Sequence, residues 1–294
     1  MKHILKIFFI ILLLTTCLFP KEKENKKYEF EVSFGLSMMH ANDELYYNAK
    51  GIDSLIDQYT RFYGTNYYTS GEFCGLTALF PFNFSFNYNF SKNWFIKFSL
   101  EYGSGNTSSG KNYYANIQGV NEKYQYDFDY KTSYFMPSIG IETLLSSFRF
   151  YANAGLTFTN ISYDSAFKYS ENYYWHKKTD SFKFNKCGFG ISVGIKYMIK
   201  ILEKTNLFIK LEHLYLKINS LNGEKLSAGL NSMGENFSKS TNGTAYTYET
   251  NPYNMEWFNF WDIHESSPTS PWIRNVKELG INFSCVRIMV GFSF

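Results

Sequence analysis

The sequence predicts an all-β protein, one antiparallel sheet closed on itself as an up-and-down transmembrane β-barrel of eight strands, with ten strands as the alternative and with long extracellular loops. Three observations predict it. Apolar and polar residues alternate with period two in segment after segment, the apolar face of those segments is built largely from aromatics, and the connections between them alternate strictly between short and long. Aromatic residues make up 20% of the chain against 19% for charged residues, so the chain has more rings than charges, which is unusual for a soluble domain. Outside the N-terminus no stretch approaches the roughly 20 apolar residues of a helical span, which with a mean hydropathy of -0.29 excludes a helical membrane protein. A hydrophobic content of 45% excludes a disordered chain.

Residues 1–20 read as a signal peptide. Lys2, His3 and Lys6 precede the apolar run Ile7 to Leu14, which is too short to cross a bilayer, and Thr15, Thr16 and Cys17 follow. Cleavage falls near residues 16 to 20, its position open. Lipidation of Cys17 is open too, because Thr16 is larger than the small residue a lipoprotein box carries there. Residues 21–294 form the barrel domain. Without Lys2 and Lys6 the 29 basic residues become 27 against 26 acidic ones, a near-neutral balance with no electrostatic case for nucleic acid.

The first strand alternates Tyr28, Phe30, Val32, Phe34, Leu36 and Met38 with Glu29, Glu31, Ser33, Gly35 and Ser37. The second sets Phe80, Phe82, Phe84, Phe86, Tyr88 and Phe90 on one face, and the turn Ser91-Lys92-Asn93 leads into the third, with Trp94, Ile96, Phe98, Leu100 and Tyr102. A second hairpin joins Phe135, Pro137, Ile139 and Ile141 to Phe148, Phe150, Ala152, Ala154, Leu156 and Phe158. A third joins Cys187, Phe189, Ile191, Val193, Ile195 and Tyr197 to Leu207, Ile209 and Leu211, and the eighth strand carries Val286, Ile288, Val290, Phe292 and Phe294. Six aromatics in a row demand an apolar medium. Strands of ~10 residues at ~3.3 Å each, tilted ~45°, cover an apolar band of ~25 Å, and hydrocarbon forbids an open edge, so the sheet must close. Four long loops are expected at 40–78, 104–132, 161–185 and 219–278. Two changes of parity, at Tyr124 to Tyr130 and at Leu279 to Phe283, call for bulges near the rim or for strands that continue above the membrane.

The segments GFGISVGIKY and LFIKLEHLYL resemble the penultimate hairpin of the small eight-stranded barrels of the opacity-protein-like superfamily. VRIMVGFSF, with Val290, Phe292 and Phe294, resembles the C-terminal assembly signal of bacterial barrels. The resemblance implies a bacterial outer-membrane barrel with periplasmic termini, and says little about activity.

If the aromatics face outward, Glu29, Glu31, Lys97, Glu101, Glu142, Arg149, Lys196, Lys210, Glu212 and Arg287 face inward, five acids with five bases. An eight-stranded interior is just wide enough for side chains to fill, so these form a buried ion-pair network; a charged conduction path is the functional alternative. Trp257, Phe258, Phe260, Trp261 and Trp272, in the fourth long loop, form a candidate surface-binding patch, or else order the loop as a hydrophobic cluster. Ile52, Leu55, Ile56 and Tyr59 carry the i, i+3, i+4, i+7 spacing of a short amphipathic helix over the barrel mouth. Asp262 and His264 resemble the Asp-x-His pair of omptin proteases, and His264-Glu265-Ser266 faintly resembles the His-x-Ser of lipid A deacylases. Asp127 and Asp129 have the spacing of a second acidic pair but stand in a Tyr-rich stretch. His40, His176 and His213 read as solvated or structural, and Cys74, Cys187 and Cys285 lack metal-ligand spacing.

The expected protein is therefore a surface-exposed structural or adhesin-like binding protein of the outer membrane, without catalytic residues, cofactor or metal. A small porin or transport channel is the alternative, and an outer-membrane hydrolase of omptin type the third reading. Expected partners are outer-membrane lipid including lipopolysaccharide or its equivalent, the barrel assembly machinery, and an extracellular ligand or host surface, with no nucleic acid.

Overall fold

The computed structural model describes residues 27–39, 47–91, 93–251 and 257–294. The expected signal peptide over residues 1–20, with Cys17, and likewise His40, lie outside the described residues. The chain runs β1 (Tyr28–Met39), α1 (Tyr47–Tyr63), β2 (Gly64–Glu72), β3 (Ala78–Ser91), β4 (Trp94–Ile117), β5 (Val120–Leu145), β6 (Phe148–Glu171), β7 (Tyr174–Lys200), β8 (Asn206–Ile218), β9 (Asn222–Asn231), β10 (Asn236–Thr250), β11 (Phe258–His264), β12 (Ile273–Glu278), β13 (Ile281–Asn282) and β14 (Cys285–Ser293). Strands β1, β3, β4, β5, β6, β7, β8 and β14 each pair antiparallel with two neighbours in that order, and β14 pairs back to β1. The ring has eight strands, and the ten-stranded alternative falls.

Register fixes the shape of the ring. Paired residues followed from Tyr28 through Tyr88, Ile96, Ile141, Ala152, Val193, His213 and Val286 return to β1 at Met38, ten residues beyond the start. Eight strands with that offset tilt by about 40° and enclose a cylinder of roughly 8 Å Cα radius.

The expected loops 104–132 and 161–185 are a correction. Both are strand: β4 and β5 pair without a register shift from Trp94↔Thr143 to Ile117↔Val120, and β6 and β7 from Phe148↔Tyr197 to Glu171↔Tyr174. No bulge separates the two parities of β5. Instead the sheet continues while the apolar face changes sides. Low on β5, Ile141, Ile139 and Phe135 point outward and Glu142 inward; higher up, Met136, Tyr134, Tyr130, Phe128 and Tyr126 are buried inside, while Ser133, Lys131 and Asp129 point outward. The change falls at Tyr102 on β4 and Phe158 on β6, both cross-strand neighbours of Phe135. Below this line the outside is greasy. Above it the inside is.

The upper half is a turret on one side of the ring. The tops of β4 to β7 are flanked by β2, which pairs with β4, and by β9 and β10, which continue from β7; β11 and β12 both pair with β10. The expected loop 219–278 thus holds four strands. Gln118 and Gly119, at φ 50° and 88°, turn the β4–β5 tip with the double positive φ of a type I′ hairpin. Helix α1 contains the anticipated Ile52 to Tyr59 and packs mainly against β11, bridging the gap between the turret's two sheet edges. Gly51 permits this approach, since a Cβ there would lie 2.7 Å from the carbonyl oxygen of Asn259.

Candidate functional site

Inside the ring all ten inward charges are buried, and they fall into two groups. In the first, Lys97 Nζ lies 2.7 Å from Glu31 and 3.4 Å from Glu142, Arg149 reaches Glu29 at 2.6 Å and Glu142 at 2.9 Å, and Lys196 pairs with Glu31 and, at 2.8 Å, with Glu142. Three acids and three bases close to zero charge. In the second, Arg287 pairs with both Glu101 and Glu212, and Lys210 lies 3.7 Å from Glu212. Tyr134 donates to Glu101 at 2.7 Å and Tyr151 to Glu212 at 2.6 Å. The strand period places these groups, since each alternates with outward residues of the apolar belt. Every member has at least one partner of opposite sign, so no charge stands isolated in the low-dielectric interior.

Above the charges the bore is filled by an apolar core containing Met136, Tyr163, Phe182, Phe184, Leu216, Ile281 and Phe283. At its top sits Trp261, fully buried, with ring centroids 5.2 Å from Tyr163, 4.6 Å from Phe182 and 6.0 Å from Phe184. Strand β11 carries Trp261 across the mouth. The Trp261 backbone N–H donates to Asn48 Oδ1 of α1 at 2.7 Å, which occupies an otherwise open strand edge. Beside it Lys225 Nζ contacts both carboxylate oxygens of Asp262 at 2.8 Å, and Lys111 joins Asp53 of α1 at 2.7 Å. Tyr126 and Tyr163 hydroxyls lie 3.0 Å apart, and burial pushes the Tyr126 phenol up to about 12.

The proposed binding patch is a second correction. Trp261 and Phe258 are buried, Trp257 and Phe260 are partly covered, and only Trp272, 45% exposed, stands on the surface. Of the run, Trp261 serves as a stopper, because a ring this large lowers the free energy most when it fills the turret's bore. Of the faint enzyme resemblances, Asp262 is held by Lys225, and His264 Nε2 is buried without a hydrogen-bond partner among the described residues. Desolvation lowers the His264 pKa below 6.5. Asp127 and Asp129 face outward from β5, on the other side of the sheet from the Trp261 core. Among the described residues, the structure brings no second acidic pair to His264.

The family described as outer membrane protein beta-barrel domain matches residues 12–234. No curated protein matches the chain. Among solved structures, the RagAB peptide transporter is 12% identical over 77% of this chain and 40% of its own, with a TM-score of 0.18. The transport unit of the autotransporter AIDA-I from Escherichia coli is 7% identical over 97% and 95%, with a TM-score of 0.15. OmpT from Vibrio cholerae is 8% identical over 94% and 99%, with a TM-score of 0.11. The chain spans 40% of the RagAB chain it matches, and likenesses this faint support no conclusion about activity.

Proposed function

The chain belongs to the outer membrane protein beta-barrel family, and from that premise we propose that it is a non-catalytic, non-conducting surface protein whose turret presents a binding or adhesive face to the environment. Membership places the protein in the bacterial outer membrane. The apolar belt is then the lipid-facing band, its height of 9 to 11 residues per strand matching a tilted transmembrane strand. The long hairpins rise on the extracellular side, as the longer connections of such barrels do. Its partners are outer-membrane lipid, the assembly machinery that reads the terminal Phe292 and Phe294, and an extracellular ligand or host surface.

One observation carries the reading. The bore is blocked twice, by ten paired charges in the ring and by the Trp261-centred core above them. What the protein can offer a partner is therefore its outer surface, chiefly the polar outward face of β4 to β7. Purified protein in a planar bilayer is expected to leave conductance at the lipid baseline; stable openings of large amplitude overturn the reading in favour of a small pore. Cells displaying the protein are expected to adhere to host-cell layers more than cells lacking it, and equal adhesion overturns the adhesive half. Should hydrolase activity be observed and then be lost in a variant with Asp262→Ala and His264→Ala, the non-catalytic half falls.

A further inference from the structure

The outward face of the ring carries one anomaly. Between the girdles, and among the described residues, the outward positions of the eight ring strands hold aromatic, aliphatic or small uncharged side chains everywhere except at His213. It stands on β8 between outward Leu211 and Tyr215, which are 50% and 46% exposed, while Glu212 and Leu214 point inward. Across the ladder it lies beside Val193 of β7 and Val286 of β14, and Val193 in turn lies beside Ala152 of β6. This sector of the belt is smooth. The far side bristles with Phe80, Phe82 and Phe84.

A neutral imidazole has one N–H donor and one nitrogen acceptor, and hydrocarbon offers neither a partner. His213 is two residues below Tyr215, which at ~3.3 Å per residue and a tilt of about 40° puts it roughly 5 Å deeper than that ring. It is four residues below Lys217, the residue on the same face that reaches headgroup level. A lipid phosphate bound at the level of Lys217 leaves His213 unpartnered. A second imidazole at the same depth supplies a partner there, the N–H of one ring donating to the bare nitrogen of the other in a single hydrogen bond. We propose that the sector centred on His213 is an in-plane interface for a second copy of this chain, with the two His213 side chains hydrogen-bonded across a two-fold axis. Such an interface is isologous, so each residue near the axis meets itself, and Val193, Val286 and Ala152 let the two sheets approach closely, as small residues do between membrane segments.

The proposal rests on the belt facing lipid, and retention of the protein in the membrane pellet after carbonate extraction checks that premise by itself. The interface is tested in native outer membranes, with the native cysteines replaced by serine and either His213→Cys or, on the opposite side of the belt, Phe98→Cys introduced. Under copper-phenanthroline oxidation His213→Cys is expected to give at least ten-fold more covalent dimer than Phe98→Cys; equal yields, or no dimer from an assembled His213→Cys barrel, overturn the proposal. Should His213→Cys fail to assemble, Val286→Cys on the same row replaces it with the same two outcomes. In detergent, light scattering is expected to show a dimer that His213→Leu converts to monomer. A monomeric native protein, or phosphate-bearing lipid lost on His213→Leu without any change of mass, overturns it as well.

Discussion

Glu142 touches three cations, Lys97 at 3.4 Å, Arg149 at 2.9 Å and Lys196 at 2.8 Å, with no exposure of its own. Its neutral analogue leaves two acids facing three bases. Glu142→Gln is therefore expected to destabilise the folded barrel by about 3–5 kcal/mol, read as a lowered urea midpoint in detergent micelles. Adding Lys196→Met to Glu142→Gln restores the balance and is expected to recover part of the loss, because the two residues are directly coupled. In the turret, Trp261→Ala opens a void between Tyr163, Phe182 and Phe184 and is expected to cost about 3–5 kcal/mol, with new protease cuts in β11 as the local readout. His264, three residues along, makes that same strand sensitive to acid. Its folded pKa is depressed by desolvation below 6.5, so above pH 6.5 the ring is neutral in both states and the cap has its full stability. As pH falls through 6.5 only the unfolded state takes the proton, and stability is lost. Protection factors of the amides in residues 258–264, their exchange rates divided by the intrinsic rate at each pH, are expected to fall between pH 7 and pH 5, and His264→Gln to flatten that dependence.

At the scale of the element, β4 is one strand with two solvents. Phe98 and Ser108 share its outward face and an unbroken ladder to β5, but Phe98 lies inside the apolar belt and Ser108 above the girdle at Tyr102. Phe98→Lys is expected to destabilise by about 2–4 kcal/mol, as a lysine near the bilayer midplane does, whereas Ser108→Lys on the same face is expected to change stability by less than about 0.5 kcal/mol. Equal effects of the two would mean that the face does not change medium at Tyr102. This inversion also explains what the sequence made legible. Where outward positions are aromatic and inward ones polar, period two alone locates the strand, its face and hence the ten inward charges. Above the girdle the alternation persists with its meaning reversed: Tyr126, Phe128 and Tyr130 are inward, with Asp127 and Asp129 between them. Read against the lower parity, that reversal mimics the end of a strand. The Trp261 stopper was illegible for a different reason. Its hydrogen-bond partner Asn48 is 213 residues away, and its ring neighbours come from β6 and β7, so local pattern says only that an aromatic run exists and not which way it points.

For the whole molecule, register and filling act together. A Cα radius of roughly 8 Å leaves a bore that the inward side chains of eight strands occupy, and the two charge groups and the turret core occupy it in series along the axis. Barriers in series have a testable property: removing one leaves the other to set the conductance. Trp261→Ala unplugs the turret but leaves Glu31, Glu142, Lys97 and Lys196 linked below it. Replacing Lys97, Lys196, Lys210 and Arg287 by Ala while converting Glu31, Glu142, Glu101 and Glu212 to Gln removes their ion pairs in both charge groups but leaves the stopper seated on Phe182 and Phe184. Each change alone is expected to keep planar-bilayer current at the lipid baseline. The combined variant, if heat-modifiable gel migration shows it folded, is expected to give discrete openings. Openings from the ring variant alone would mean that the turret does not seal, and that the ions of the ring are the only obstacle between the periplasmic side and the environment.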